Sequence, residues 1–131
     1  MPDTEQKGAR VLIVEDDDIF RTFLSKFCME KGLDVSLATN GLEGLQLIET
    51  KIFDLVITDL RMPTMDGMAF LKNLREQKKS DVTVIILTAY GEMDSYVKAV
   101  DWGVFEFLHK PIDVDELSEI VDKALMKKSA D

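Results

Sequence analysis

One cysteine, Cys28, stands among 131 residues. No internal disulfide can form, and none of the cysteine-rich metal patterns applies, which fits a reducing, cytoplasmic setting. On the face of a helical segment, Cys28 reads as a small core residue. No apolar run approaches the ~18 residues that a membrane span needs. The opening MPDTEQKGAR is polar, unlike a signal peptide. Positive charge is scarce: 16 basic residues against 25 acidic ones leave a net charge of −9. A domain that grips nucleic acid needs a basic face to neutralise phosphates, so direct nucleic-acid binding is not expected, and neither is a membrane. Histidine occurs once, as His109, which reads as a solvent-facing loop residue rather than a phosphohistidine or metal ligand. There is no internal repeat and no low-complexity tract. What remains is an ordinary globular balance, 46% hydrophobic and 31% charged, in a length suited to one domain with a real core. The polar ends, 1–9 and 127–131, are expected to be flexible flanks of a folded unit over 10–126.

Five short apolar runs alternate with five longer segments of helical period. The runs are VLIV (11–14), VSLA (35–38), LVI (55–57), VTVIIL (82–87) and VFEFL (104–108). Between the first two, Phe20, Phe23, Leu24 and Phe27 share one helical face. Asn40 and Glu43 form a capping-box pair ahead of Leu42, Leu45 and Ile48. The stretch from Asp66 to Gln77 carries Phe70, Leu71 and Leu74. A weaker fourth segment, 92–101, carries Tyr96, Val97 and Val100. The fifth opens with Asp113 and Glu116, an N-cap and its partner, and continues through Leu117, Ile120, Val121 and Ala124. Strict alternation of strand and helix predicts a parallel sheet with helices on both faces. Runs one, three and four are almost wholly apolar, as strands buried on both faces should be. Run two alternates, Val35 and Leu37 against Ser36 and Ala38, and run five holds Glu106, so these read as edges. The expected fold is a doubly wound, five-stranded α/β sheet of order 2-1-3-4-5, flavodoxin-like. Its crevice lies at the carboxyl ends of the strands, near the switch point between strands one and three.

The residues just past each strand carry the chemistry. Strand one runs into Glu15, Asp16, Asp17 and Asp18; strand three into Asp59; strand four into Thr88; strand five into Lys110 and Pro111. Neighbouring strands lie ~4.8 Å apart, so these ends converge. Two carboxylates ~4 Å apart, at an effective dielectric of roughly 20, repel by about 4 kcal/mol, more than one amine can offset across the cluster. A hard divalent cation would offset it, and an all-oxygen donor set suits Mg²⁺. Beside a lysine and a hydroxyl, such a site is a place to put a phosphoryl group. Asp59 is then either a ligand or the nucleophile. Asp17 and Asp18 read mainly as helix-cap and dipole partners. Met62 and Met65 are candidates for lining the approach, and the Lys110–Pro111 bond is a candidate cis peptide.

VLIVED (11–16), ITDLRMPTMDG (57–67), LTAYG (87–91) and FLHKPI (107–112), in this order and each at the end of its strand, resemble the receiver domain of two-component response regulators. The likeness covers about residues 10–126. It implies a phosphorelay in which Asp59 accepts a phosphoryl group from a sensor histidine kinase or phosphotransfer protein. It implies Mg²⁺ bound by Asp16, Asp59 and the backbone carbonyl of Arg61, with Glu15 acting through a water. Glu15 stands where the family more often has aspartate. Thr88 and Lys110 would contact the phosphoryl oxygens. Phe107 matches the family's switch aromatic, although it also reads as a core residue. The positions two beyond Asp59 and two beyond Thr88, Arg61 and Tyr90, would tune hydrolysis, and their bulk predicts a long-lived phosphate. The output surface would comprise the fourth helical segment, the fifth strand and the fifth helical segment, roughly 92–125, with Trp102 a candidate contact anchor. That surface would control an output domain or partner protein, with room for a homodimer formed on phosphorylation. LTAYGE and FLHKPID resemble receivers that precede ATPase-type transcription activators, among other architectures. Such a protein is no enzyme in the ordinary sense: it catalyses only its own phosphorylation and dephosphorylation.

Three alternatives compete. A Mg²⁺-dependent phosphatase of the haloacid-dehalogenase type uses the first acid of a D-x-D after strand one, which Asp16–Asp18 satisfies, with Thr88 and Lys110 as its hydroxyl and lysine. That reading leaves Asp59 idle and the chain without a cap segment. A receiver used only for docking, unphosphorylated, would not need the complete site. A dinucleotide-binding domain needs a glycine-rich first turn, where this chain has EDDD.

Overall fold

The computed structural model describes residues 8–89 and 100–130. Among the described residues the elements are, in chain order, β1 (Arg10–Val14), α1 (Asp18–Glu30), β2 (Asp34–Ala38), α2 (Gly41–Thr50), β3 (Leu55–Asp59), α3 (Gly67–Glu76), β4 (Thr83–Thr88), β5 (Glu106–His109) and the C-terminal helix α4 (Val114–Ala130). The expected helical segment 92–101, including Tyr96, lies outside the described residues except for its last two positions; Tyr90 and most of the N-terminal flank lie outside as well. The C-terminal helix runs to Ala130, past residue 126 where the sequence places the end of the folded unit.

The strands form one parallel sheet in the order β2-β1-β3-β4-β5. Successive side chains of a strand point to opposite faces. Val11, Ile13, Leu55, Ile57, Ile85 and Leu87 therefore form one hydrophobic layer with Leu24 and Cys28 of α1 and Leu117, Val121 and Ala124 of α4. Leu12, Val14, Val56, Val84 and Ile86 form the other, under Leu45 of α2 and Phe70, Leu71 and Leu74 of α3. Central strands must be apolar on both faces to do this, which is why their runs are continuous.

The structure departs from the sequence expectations at element margins. β3 extends two residues further, to Asp59, and β5 begins at Glu106 rather than 104. On edge strand β2, Leu37 is 44% exposed while Ala38 is buried, the reverse of the expected alternation. An edge strand has one neighbour and incomplete helix cover, so its burial follows the ends of α1 and α2 rather than strict parity. Phe23 and Leu42 also face solvent. α2 meets α3 instead through Gly41 and Gly44, whose missing side chains admit Phe70. The Asn40 cap forms as expected, Oδ1 accepting from the Glu43 N–H at 2.9 Å, but the Glu43 carboxylate reaches back to the Thr39 N–H. Asp66 and Asp113 cap α3 and α4 in the same way.

Candidate functional site

β1 and β3 are neighbours, and α1 and α3 leave them on opposite faces, so a cleft opens where both strands end. Glu15 follows β1 directly and is 1% exposed. Burial pushes its carboxyl up to about 7, with the Asp59 carboxylate adding to the rise; the Asp17 N–H and Lys110 act in opposition. Asp16 is exposed at the rim. Asp17 caps α1, its Oδ2 accepting from the Phe20 N–H at 2.7 Å, and Asp18 pairs with Arg21, so both take the structural roles expected of them. Asp59, the last residue of β3, is 9% exposed. Its Oδ1 accepts from the Leu60 N–H at 2.6 Å and the Arg61 N–H at 3.4 Å, which orients the carboxylate along the turn. That turn closes tightly: the Gly67 N–H donates to the Leu60 carbonyl, and a Cβ on Gly67 would lie 2.3 Å from the Asp59 carbonyl oxygen.

Lys110 closes the site. Its Nζ donates to Asp59 Oδ2 at 2.8 Å and to Glu15 Oε1 at 3.3 Å. Burial works to lower the ammonium's pKa, but the two carboxylates outweigh it and hold the group above its ordinary value. The Lys110–Pro111 peptide is cis. The Lys110 N–H donates to the Thr88 carbonyl at 2.8 Å, tying the lysine's loop to the end of β4. Thr88 is one residue past Leu87, the register partner of Asp59, and its hydroxyl donates to the Ala89 carbonyl at 3.2 Å.

Glu15, Asp16 and Asp59 each offer an oxygen, and these oxygens all lie within 4.8 Å of one another. The donor set is purely carboxylate, two of its members are buried, and among the described residues the Lys110 ammonium serves both. A hard, oxygen-seeking divalent cation fits it by charge and by donor chemistry.

The structure thus brings together Glu15, Asp16, Asp59 and Lys110, with Thr88 at the adjoining strand end. Phe107 lies elsewhere, half-buried on β5 against the layer under α2 and α3. Met62 and Met65 pack against that layer too. His109 is exposed, at the end of β5 rather than in a loop. Trp102 lines a shallow groove with Met68, Ala69, Lys72 and Asp101. Sequence reasoning missed Arg21. Its guanidinium donates to the carbonyl of Glu15 at 2.9 Å and to that of Asp16 at 3.4 Å while pairing with Asp18, and so braces the acidic turn from behind. A lone arginine one turn into the helix after an acidic run is the signal that could have found it.

The family model for the response regulator receiver domain matches residues 11–122. Among curated proteins, the chain is 40% identical over 120 residues to the regulatory protein AtoC of Escherichia coli K12, covering 92% of this chain and 26% of that protein. It is 38% identical over 120 residues to the DNA-binding transcriptional regulator NtrC of the same organism, covering 92% of this chain and 25% of NtrC. The chain therefore spans about a quarter of the length of these relatives. Among solved structures, a response regulator receiver domain protein from Clostridium thermocellum superposes with a TM-score of 0.84 at 30% identity, covering 93% of this chain and 98% of that one.

Proposed function

The chain belongs to the response regulator receiver domain family, and from that premise we propose that it is a phospho-accepting switch with Asp59 as the acceptor. One observation carries the reading: Lys110 bridges Asp59 and Glu15 at the rim where three carboxylates converge. An ionised Asp59 oxygen attacks the phosphorus of a sensor kinase's phosphohistidine. The O–P bond of an acyl phosphate forms as the P–N bond to imidazole breaks. Lys110 and the Thr88 hydroxyl take up the phosphoryl oxygens. Asp16, Asp59 and the Arg61 carbonyl would hold Mg²⁺, with Glu15 behind a water. The bound ion would neutralise charge on the transferring group. The Arg21 brace fixes the backbone from which both acids of the β1 end project.

The reaction changes only the protein itself, so the output is altered binding: the 92–125 surface, with Thr88 and Phe107 as its switch residues, acts on an output domain or partner protein. The regulatory names of AtoC and NtrC support such an output. The phosphatase reading has less support, because Lys110 pairs with Asp59 and Glu15 while Asp16 lies exposed at the rim. Incubation with acetyl phosphate and Mg²⁺, followed by mass mapping, tests the proposal. Wild type should gain one phosphoryl group on Asp59, and Asp59→Asn or chelation of the metal should abolish it. Modification of Asp16 in place of Asp59 would overturn the assignment.

A further inference from the structure

Phe20 lies in the first turn of α1, on the side facing the cleft. Its ring is held from two directions: it packs against the layer under α1 and α4, and it stacks on Phe23 at 5.7 Å between centroids with a 19° interplanar angle. Lys110 Nζ lies 4.4 Å from the Phe20 centroid. The same nitrogen donates to Asp59 and Glu15. We propose that Phe20 is a positioning residue for Lys110, holding the ammonium at the rim by a cation–π contact so that it meets the phosphoryl group arriving on Asp59. The proposal rests on the phospho-acceptor reading above.

An aromatic face acts on a nearby cation in a way no carboxylate does. It attracts the charge through its quadrupole but supplies no lone pair in competition with the carboxylates. An ammonium has three N–H donors. Two contacts go to Asp59 and Glu15, and the ring adds no oxygen acceptor to compete for the remaining donor, which stays available to a phosphoryl oxygen. The ring also shields one side of the ammonium from water, where its field is then less screened. An aliphatic side chain of similar size would fill the space without the attraction, so packing and positioning can be separated by substitution.

The experiment compares wild type, Phe20→Leu and Phe20→Tyr, with Phe20→Met in reserve should the leucine variant fold poorly. Two readouts are taken on the same samples: the NMR shift of the Lys110 ε-methylene and the rate of Asp59 labelling by acetyl phosphate at saturating Mg²⁺. In wild type and Phe20→Tyr the methylene should be displaced upfield by the ring current, and labelling should be similar. In Phe20→Leu the displacement should vanish and labelling should slow by roughly three- to tenfold, in the range such contacts support. Equal rates in wild type and Phe20→Leu would overturn the proposal, as would equal slowing in the leucine and tyrosine variants, which would mark a packing role. A displaced methylene in wild type with no phosphoryl group on Asp59 would sink the acceptor reading instead, taking the positioning role with it and leaving the ring contact intact.

Discussion

Cys28 and Glu15 are both shut away from water, and burial moves both acids in one direction. Glu15 rises to about 7 and Cys28 to about 12, the latter only weakly opposed by Lys31. For Cys28 the consequence is measurable. The thiol of the unfolded chain ionises from its ordinary value of 9.0 upward, while the native one stays protonated until about 12. Above pH 9 the unfolded state binds fewer protons, so stability falls as pH rises, by at most about 1.4 kcal/mol per pH unit from this group. Below pH 9 the contribution is complete. Urea midpoints of wild type should drop more steeply between pH 9 and 10 than those of Cys28→Ala; parallel slopes would refute the assignment. Residues of this scale were unevenly legible in the sequence. Asp16, Asp59, Thr88 and Lys110 could be found because a parallel sheet gathers whatever follows its strands. Arg21 left one signal, a lone arginine just after an acidic run; the Phe20–Lys110 contact left none, because the reach and direction of a long side chain are decided by packing that no local pattern encodes.

Among the elements, α2 and α3 depend on glycines in different ways. A Cβ on Gly44 would come 2.9 Å from the edge of the Phe70 ring and 3.1 Å from Val14 Cγ2, both side-chain atoms. A Cβ on Gly67 would meet the Asp59 carbonyl at 2.3 Å and the Leu60 Cα at 2.9 Å, both backbone. Gly44→Ala gains about 1 kcal/mol of helix propensity but overpacks the α2–α3 contact by roughly 1–3 kcal/mol, so it should be mildly destabilising in urea melts. Gly67→Ala has no flexible neighbour to yield. It should destabilise more and, by displacing the backbone that bears Asp59, should also lose most of the acetyl phosphate labelling that Gly44→Ala retains. Counting apolar residues at helical spacing located α3 and α4 well. In α2 it holds for Leu45 and Ile48 but not for Leu42, which is 45% exposed because the contact with α3 runs through Gly41 and Gly44. Arg75 is a similar case. Burial lowers its pKa, and its guanidinium donates to the carbonyls of Ser80, Val82, Trp102 and Gly103, joining the end of α3 to the start of β4 and to the turn before β5. A charged residue at a helix end ordinarily reads as solvated surface.

At the scale of the whole molecule, the strand order was legible from composition: three continuous apolar runs had to be central, and the two interrupted ones had to be edges. The observed order follows that reasoning, and the departures lie at element margins, on edge strand β2 and at the helix residues Phe23 and Leu42, where burial depends on tertiary neighbours. The two hydrophobic layers share strands but not side chains. Ile13 and Ile57 are register partners in one layer, while Ile86 belongs to the other. Each Ile→Val change should cost about 0.5–1.5 kcal/mol. Ile13→Val with Ile86→Val should add within about 0.5 kcal/mol, whereas Ile13→Val with Ile57→Val should deviate from the sum. Double-mutant cycles by urea denaturation measure both.

The sheet is, in this sense, a bulkhead. A void opened on one side has the whole thickness of the hydrogen-bonded ladder between it and the compartment opposite. Sequence drift can therefore proceed in the two halves of the interior on separate accounts. The carboxyl rim, where strands from the middle of the partition emerge, inherits disturbance from either half only through the backbone itself.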